Sequence, residues 1–103
     1  MTTLDFADAV MLAAATVPPG NPGRFGRRKV FIDVVHKHIQ RAKLWRGTLT
    51  AFKAKLVAAH RAGRLELARA DLVGAMPWKH VRASLTTWDG VEYHFVMAPY
   101  MFG

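Results

Sequence analysis

The sequence predicts a mainly helical α+β domain that ends in a small antiparallel hairpin. Three observations carry this expectation. Apolar residues recur at helical spacing over 27–42 and again over 48–62. An Asp89-Gly90 pair stands between two alternating segments, 84–88 and 91–96. A Pro- and Gly-rich stretch, 17–23, separates the first apolar run from everything that follows.

The first helix is expected over about 4–16. Thr2 or Thr3 is placed to cap it, Asp5 suits the positive end of its dipole, and Leu4, Phe6, Val10, Met11 and Ala14 form its apolar stripe. Pro18, Pro19 and Pro22 then exclude helix. The second helix is expected over 27–42, because Phe31, Val34, Val35, His38, Ile39 and Ala42 fall at i, i+3, i+4, i+7, i+8 and i+11. The third is expected over 48–62, started by Thr48 or Gly47 and stopped by Gly63. Leu49, Phe52, Leu56 and Ala59 are its buried stripe, and Thr50, Lys53, Ala54, Val57 and Arg61 its opposite face.

Leu65-Glu66-Leu67 alternates in, out, in, and suits a short strand. Short helices are expected over 70–82, with Pro77 at the first position of the second one. The hairpin is expected over 84–96. A two-residue Asp-Gly loop favours a type I′ turn, which pairs Trp88 with Val91, Thr86 with Tyr93 and Ser84 with Phe95. Trp88, Val91, Tyr93 and Phe95 then share the core face, and Leu85, Thr87, Glu92 and His94 the other. The tail 97–103 is apolar, and either folds back on the core or forms a homodimer or partner contact. Phe31, Val35, Ile39, Phe52, Leu56 and Phe95 are the expected core.

The chain has 103 residues, enough for a single domain with a modest core, and 51% of them are hydrophobic, which argues against disorder. The absence of cysteine excludes disulfides and thiolate metal sites and makes a cytoplasmic location the default. Asp5 and Asp8 interrupt the N-terminal apolar run, so a signal peptide is not expected, and no segment is long and apolar enough to predict a membrane span.

The net charge of +8 is unevenly distributed. Residues 24–64 hold twelve of the fifteen Lys and Arg residues against one acid, Asp33, a segment charge of +11; the rest of the chain carries −3. Such polarity presents a positive face to a polyanion, and nucleic acid is the expected partner. Two groups of residues are the candidates. Arg24, Arg27, Arg28 and Lys29 cluster at the expected start of the second helix, where free N–H groups would also face a phosphate. On and just before the third helix, Arg46, Thr50, Lys53 and Arg61 can reach phosphates or base edges, and Ala54 and Val57 a thymine methyl. Trp45, in the basic connection, either stacks on a base or packs beneath the loop; the tryptophans otherwise suit the core or a partner.

Chemistry is not expected. His36 and His38 lie roughly 200° apart around a helix, and His60, His80 and His94 fall on separate elements, so no metal site is predicted. Ser84 lacks a nucleophile-elbow pattern, the seven acids form no pair suited to proton transfer, and 20–26 lacks the ending of a phosphate-binding loop. No catalytic residue, cofactor or metal is assigned.

Three helices followed by a terminal hairpin, with the charge centred on the second and third, resemble the bacterial winged helix-turn-helix domain. The run from Arg64 to Leu72 and the Tyr93-His94-Phe95 strand are similar to those of small winged-helix-like bacterial proteins. The resemblance covers about 4–96. It implies that the third helix enters the major groove of DNA and that the hairpin is the wing, in a regulator or accessory factor. The sequence departs from the pattern in two ways: a helical insertion at 70–82 precedes the hairpin, and the Asp89-Gly90 tip carries no cation for a phosphate. The alternative is a protein-interaction module of a multi-component system, built on the same fold and using the insertion and the apolar tail.

Overall fold

The structure, a computed structural model, describes residues 5–18, 20–25, 28–70 and 77–98. Among these the order is α1 (Phe6–Ala15), β1 (Arg24–Phe25), β2 (Lys29–Phe31), α2 (Ile32–Arg41), α3 (Leu49–Arg61), β3 (Leu67–Ala68), α4 (Trp78–Ser84), β4 (Thr86–Trp88), β5 (Val91–Tyr93) and β6 (Phe95–Met97). The fold is α+β, with an antiparallel sheet in the order β1-β2-β6-β3 and a separate β4-β5 ribbon. No helix among the described residues is long and apolar enough to cross a membrane.

Asp5 caps α1, accepting the Asp8 N–H at 2.9 Å; Thr2 and Thr3, the expected caps, lie outside the described residues. That hydrogen bond, and then the Arg64 guanidinium, hold the Asp5 carboxyl below its usual 3.8. Ala7, Ala9, Val10, Ala13 and Ala14 are buried, and their small side chains let α1 pack closely on α2 and α3.

The second helix starts later than its periodicity suggests. Residues 29–31 are strand, not helix, and α2 runs only from Ile32 to Arg41. Phe31 and Val34 satisfy a helical stripe, but Val30 and Phe31 are also good strand residues, and pairing decides the outcome. Val30 stands opposite Val96, and Phe31 opposite Phe95. The Phe31 N–H donates to the Gly23 carbonyl at 2.8 Å. Gly23 is required there, because a Cβ would lie 2.2 Å from a Val34 methyl. At the other end of the stripe, Ala42 is exposed.

α3 keeps close to its expected bounds and buries Phe52 and Leu56, but Leu49 and Ala59 of the expected stripe are only half-buried. The Thr48 hydroxyl accepts the Ala51 N–H, and Gly63 closes the helix at φ 73° with the Arg64 N–H bonded to the Ala59 carbonyl. Leu65 and Leu67 are buried around an exposed Glu66, although strand pairing begins only at Leu67.

The hairpin is shorter than expected. Asp89 and Gly90 both take positive φ, and Thr86↔Tyr93 and Trp88↔Val91 are in register. Ser84 does not face Phe95: it ends α4, and Phe95 belongs to β6 in the larger sheet. The chain changes sheets at His94, whose N–H donates to the Ala68 carbonyl while its own carbonyl accepts the Ile32 N–H. His94, expected on the outer face, is therefore buried, and Val91, expected on the core face, is exposed. The expected helix over 70–76 lies almost wholly outside the described residues.

Phe31, Val35, Ile39, Phe52, Leu56 and Phe95 are all fully buried. The Phe31 and Phe95 rings are 4.5 Å apart between sheet and helices, and Phe52 meets Phe6 and Trp45 between α1 and α3. Val96 and Ala98 are buried too, so the start of the apolar tail folds onto the core; residues 99–103 lie outside the described ones.

Candidate nucleic-acid interface

From residue 34 to residue 65 the chain has eight Lys and Arg residues and no acid. The one acid just before, Asp33, is buried. Lys37 and Arg41 are exposed on α2, Lys43 and Arg46 in the turn, and Lys55 and Arg61 on α3.

The turn between α2 and α3 is firmly built. Ala42 ends α2, and Lys43 follows at φ 59°, the left-handed conformation that favours glycine. The Lys43 N–H donates to the Gln40 carbonyl and the Leu44 N–H to that of Ile39, which ties the turn to the last turn of α2. His36 Nε2 and Gln40 Nε2 both donate to the Gly47 carbonyl at 2.8 Å. The Trp45 ring is half-buried against Phe6, His36 and Phe52. It packs beneath the loop, against the core side of the turn. Lys43 and Arg46 are thus carried outward on a rigid support.

α3 shows Thr50, Ala51, Ala54, Ala58 and Arg61 to solvent. Lys53, expected on this open face, stands instead on its flank: it is half-buried, and its Nζ donates to the Leu85 carbonyl at 2.7 Å. Burial lowers its pKa, partly opposed by the charge of Asp33. The β4-β5 ribbon covers the same flank, with His60 against Tyr93 and Trp88, and the Arg61 guanidinium 5.0 Å from the Trp88 ring centre. Val57 is half-buried there as well.

The cluster at 24–29 has other geometry than expected. Arg24 lies on β1, Lys29 on β2 and Arg28 just before β2, none of them at the start of α2. The start of α2 is occupied by protein groups: the Ile32 N–H donates to His94, and the Asp33 N–H to Ser84 Oγ. Arg24 donates to the Ala14 and Val17 carbonyls at 2.7 and 2.9 Å, closing the C-terminus of α1, and its burial lowers its pKa. Arg28 Nε donates to the Ala98 carbonyl, and Lys29 Nζ is 5.7 Å from the Phe95 ring centre. Arg27 lies outside the described residues. Of the expected contact residues, Arg46 is exposed in the turn and Thr50 and Arg61 on α3, and sequence reasoning passed over the exposed Lys37 and Lys43 as contacts.

One polar cluster escaped the sequence. Asp33, His80 and Ser84 meet between α2 and α4: His80 Nδ1 donates to one carboxylate oxygen at 2.7 Å, and Ser84 Oγ to the other at 2.9 Å. These are hydrolase residue types in a different arrangement. Serine and histidine both bind the carboxylate, not each other, and Ser84 is fully buried. The cluster locks α4 onto the first turn of α2. Among the described residues no three metal-ligating side chains gather.

No family model, curated protein or solved structure matches this chain.

Proposed function

We propose that this chain is a nucleic-acid-binding module of the winged-helix kind, a cytoplasmic regulator or accessory factor that grips duplex DNA with α2, the following turn and the open face of α3. The acid-free run of cations from Lys37 to Arg61, all exposed except the half-buried Lys53, carries this reading. Fixed cations on a rigid turn meet phosphates without first ordering a loop, and the small Thr50–Ala54–Ala58 face of α3 allows close approach to a groove.

The topology supports the same reading. β3 follows α3, its sheet neighbour β6 closes the described chain, and the β4-β5 ribbon lies between them in the chain, where a wing would. Its Asp89-Gly90 tip has no cation. In this reading the ribbon acts by packing, with Trp88 and Tyr93 holding the C-terminal half of α3, and leaves phosphate contact to the turn.

The test is a mobility-shift titration with a random-sequence duplex at low salt. The double variant Lys43→Ala, Arg46→Ala should bind at least about tenfold more weakly, while Arg69→Ala, exposed but outside the surface, binds like wild type. No duplex binding by the wild type, or equal binding by both variants, refutes the reading.

A further inference from the structure

Trp78 is the most exposed large apolar side chain among the described residues, at 59%. It opens α4, and two cations stand over its ring at long range: Lys79 Nζ and Arg82 Cζ each lie 5.9 Å from its centre, which leaves the ring more than half exposed. Trp78 and Arg82 are four residues apart and share a helix face. α4 carries no acid. The helix is held by the Asp33 cluster at the N-terminal end of α2, so the platform has a fixed base. The Lys43–Arg46 turn follows the opposite end of α2, a helix about 15 Å long.

We propose that Trp78, with Lys79 and Arg82, is a second nucleic-acid contact that stacks an unpaired base and holds its neighbouring phosphates. The chemistry selects this occupant. A purely apolar partner would bury two cations without compensation. An acidic peptide matches the cations but leaves the ring face unused. A nucleotide in a single strand offers a π-face and a phosphate within one unit, whereas a base inside a duplex is already stacked on both sides. The inference rests on the nucleic-acid reading above but uses a different surface and a different form of the ligand. It assigns α4, in the C-terminal part of the insertion, a role at ends, gaps or opened segments of DNA.

The experiment uses the full chain and a fluorescein-labelled fifteen-residue oligothymidylate, followed by anisotropy, with a duplex of equal length in parallel. Wild type should bind the oligothymidylate saturably. Trp78→Ala should weaken that binding by about 10- to 100-fold, the range for loss of one aromatic stack. Trp78→Phe, which keeps a ring, should recover most of it. Lys79→Ala with Arg82→Ala should flatten the single-strand salt slope by about 1.4, two phosphates' worth. Duplex affinity should change less than about twofold in Trp78→Ala, because the α2–α3 surface is untouched. Circular dichroism checks the fold of each variant. Equal oligothymidylate binding by wild type and Trp78→Ala overturns the proposal, as does wild-type affinity no greater than for an equally charged poly-glutamate. If duplex binding persists while the oligothymidylate fails, this inference alone falls. If the oligothymidylate binds through Trp78 while the duplex does not, the duplex reading falls and this one stands.

Discussion

The Trp45 ring fills the space that a side chain on Gly47 would need: a Cβ there would lie 2.5 Å from the ring edge. Gly47 also takes φ 154°, and its carbonyl receives both His36 and Gln40. One residue thus fixes where α3 starts relative to α2. Gly47→Ala must displace a ring wedged among Phe6, His36 and Phe52. It should destabilise the protein by about 1–3 kcal/mol, the usual cost of overpacking. Urea unfolding measures this; an unchanged midpoint would show that the ring yields freely.

Lys43 stands where a helix end favours glycine. A side chain at this φ costs about 1–2 kcal/mol, partly offset by the smaller entropy a lysine loses on folding. Lys43→Gly should therefore stabilise the fold by about 0.5–1 kcal/mol while weakening duplex binding. A gain in stability with unaltered binding would mean that the charge at this position has no part in the contact.

His38 resists protonation, first through burial and then through the nearby charge of Arg41, so its pKa in the folded chain lies below the usual 6.5. Above that value the imidazole is neutral in both states and contributes no pH dependence. As the pH falls through 6.5 the unfolded chain takes up the proton first, and stability declines until the folded value is passed. The urea midpoint should drop between pH 7.5 and 5.5, and His38→Gln should lessen the drop. An equal drop in both proteins would assign it to other groups.

Local signals were legible wherever they decide the structure alone. Thr48 and Gly63 bound α3, its stripe buries Phe52 and Leu56, and Asp89-Gly90 sets the ribbon register. The segment 29–31 was not legible, because Phe31 and Val34 fit a helix equally well and only pairing with the distant β6 makes a strand. The site divides the same way. The acid-free basic run is plain in the sequence, but the Lys53 bond to Leu85, 32 residues away, is not, nor is the Asp33–Ser84 bond across 51. The lone acid of a +11 segment was the one available hint that Asp33 is buried and paired.

The most direct test of the central claim is the salt dependence of duplex binding. If Lys37, Arg41, Lys43, Arg46 and Arg61 meet phosphates, log affinity should fall linearly with log salt at a slope of about −4 to −5, near 0.9 per contact. The Lys43→Ala, Arg46→Ala variant should be shallower by about 1.8. A slope near zero in the wild type, or the same slope in both proteins, would contradict the account.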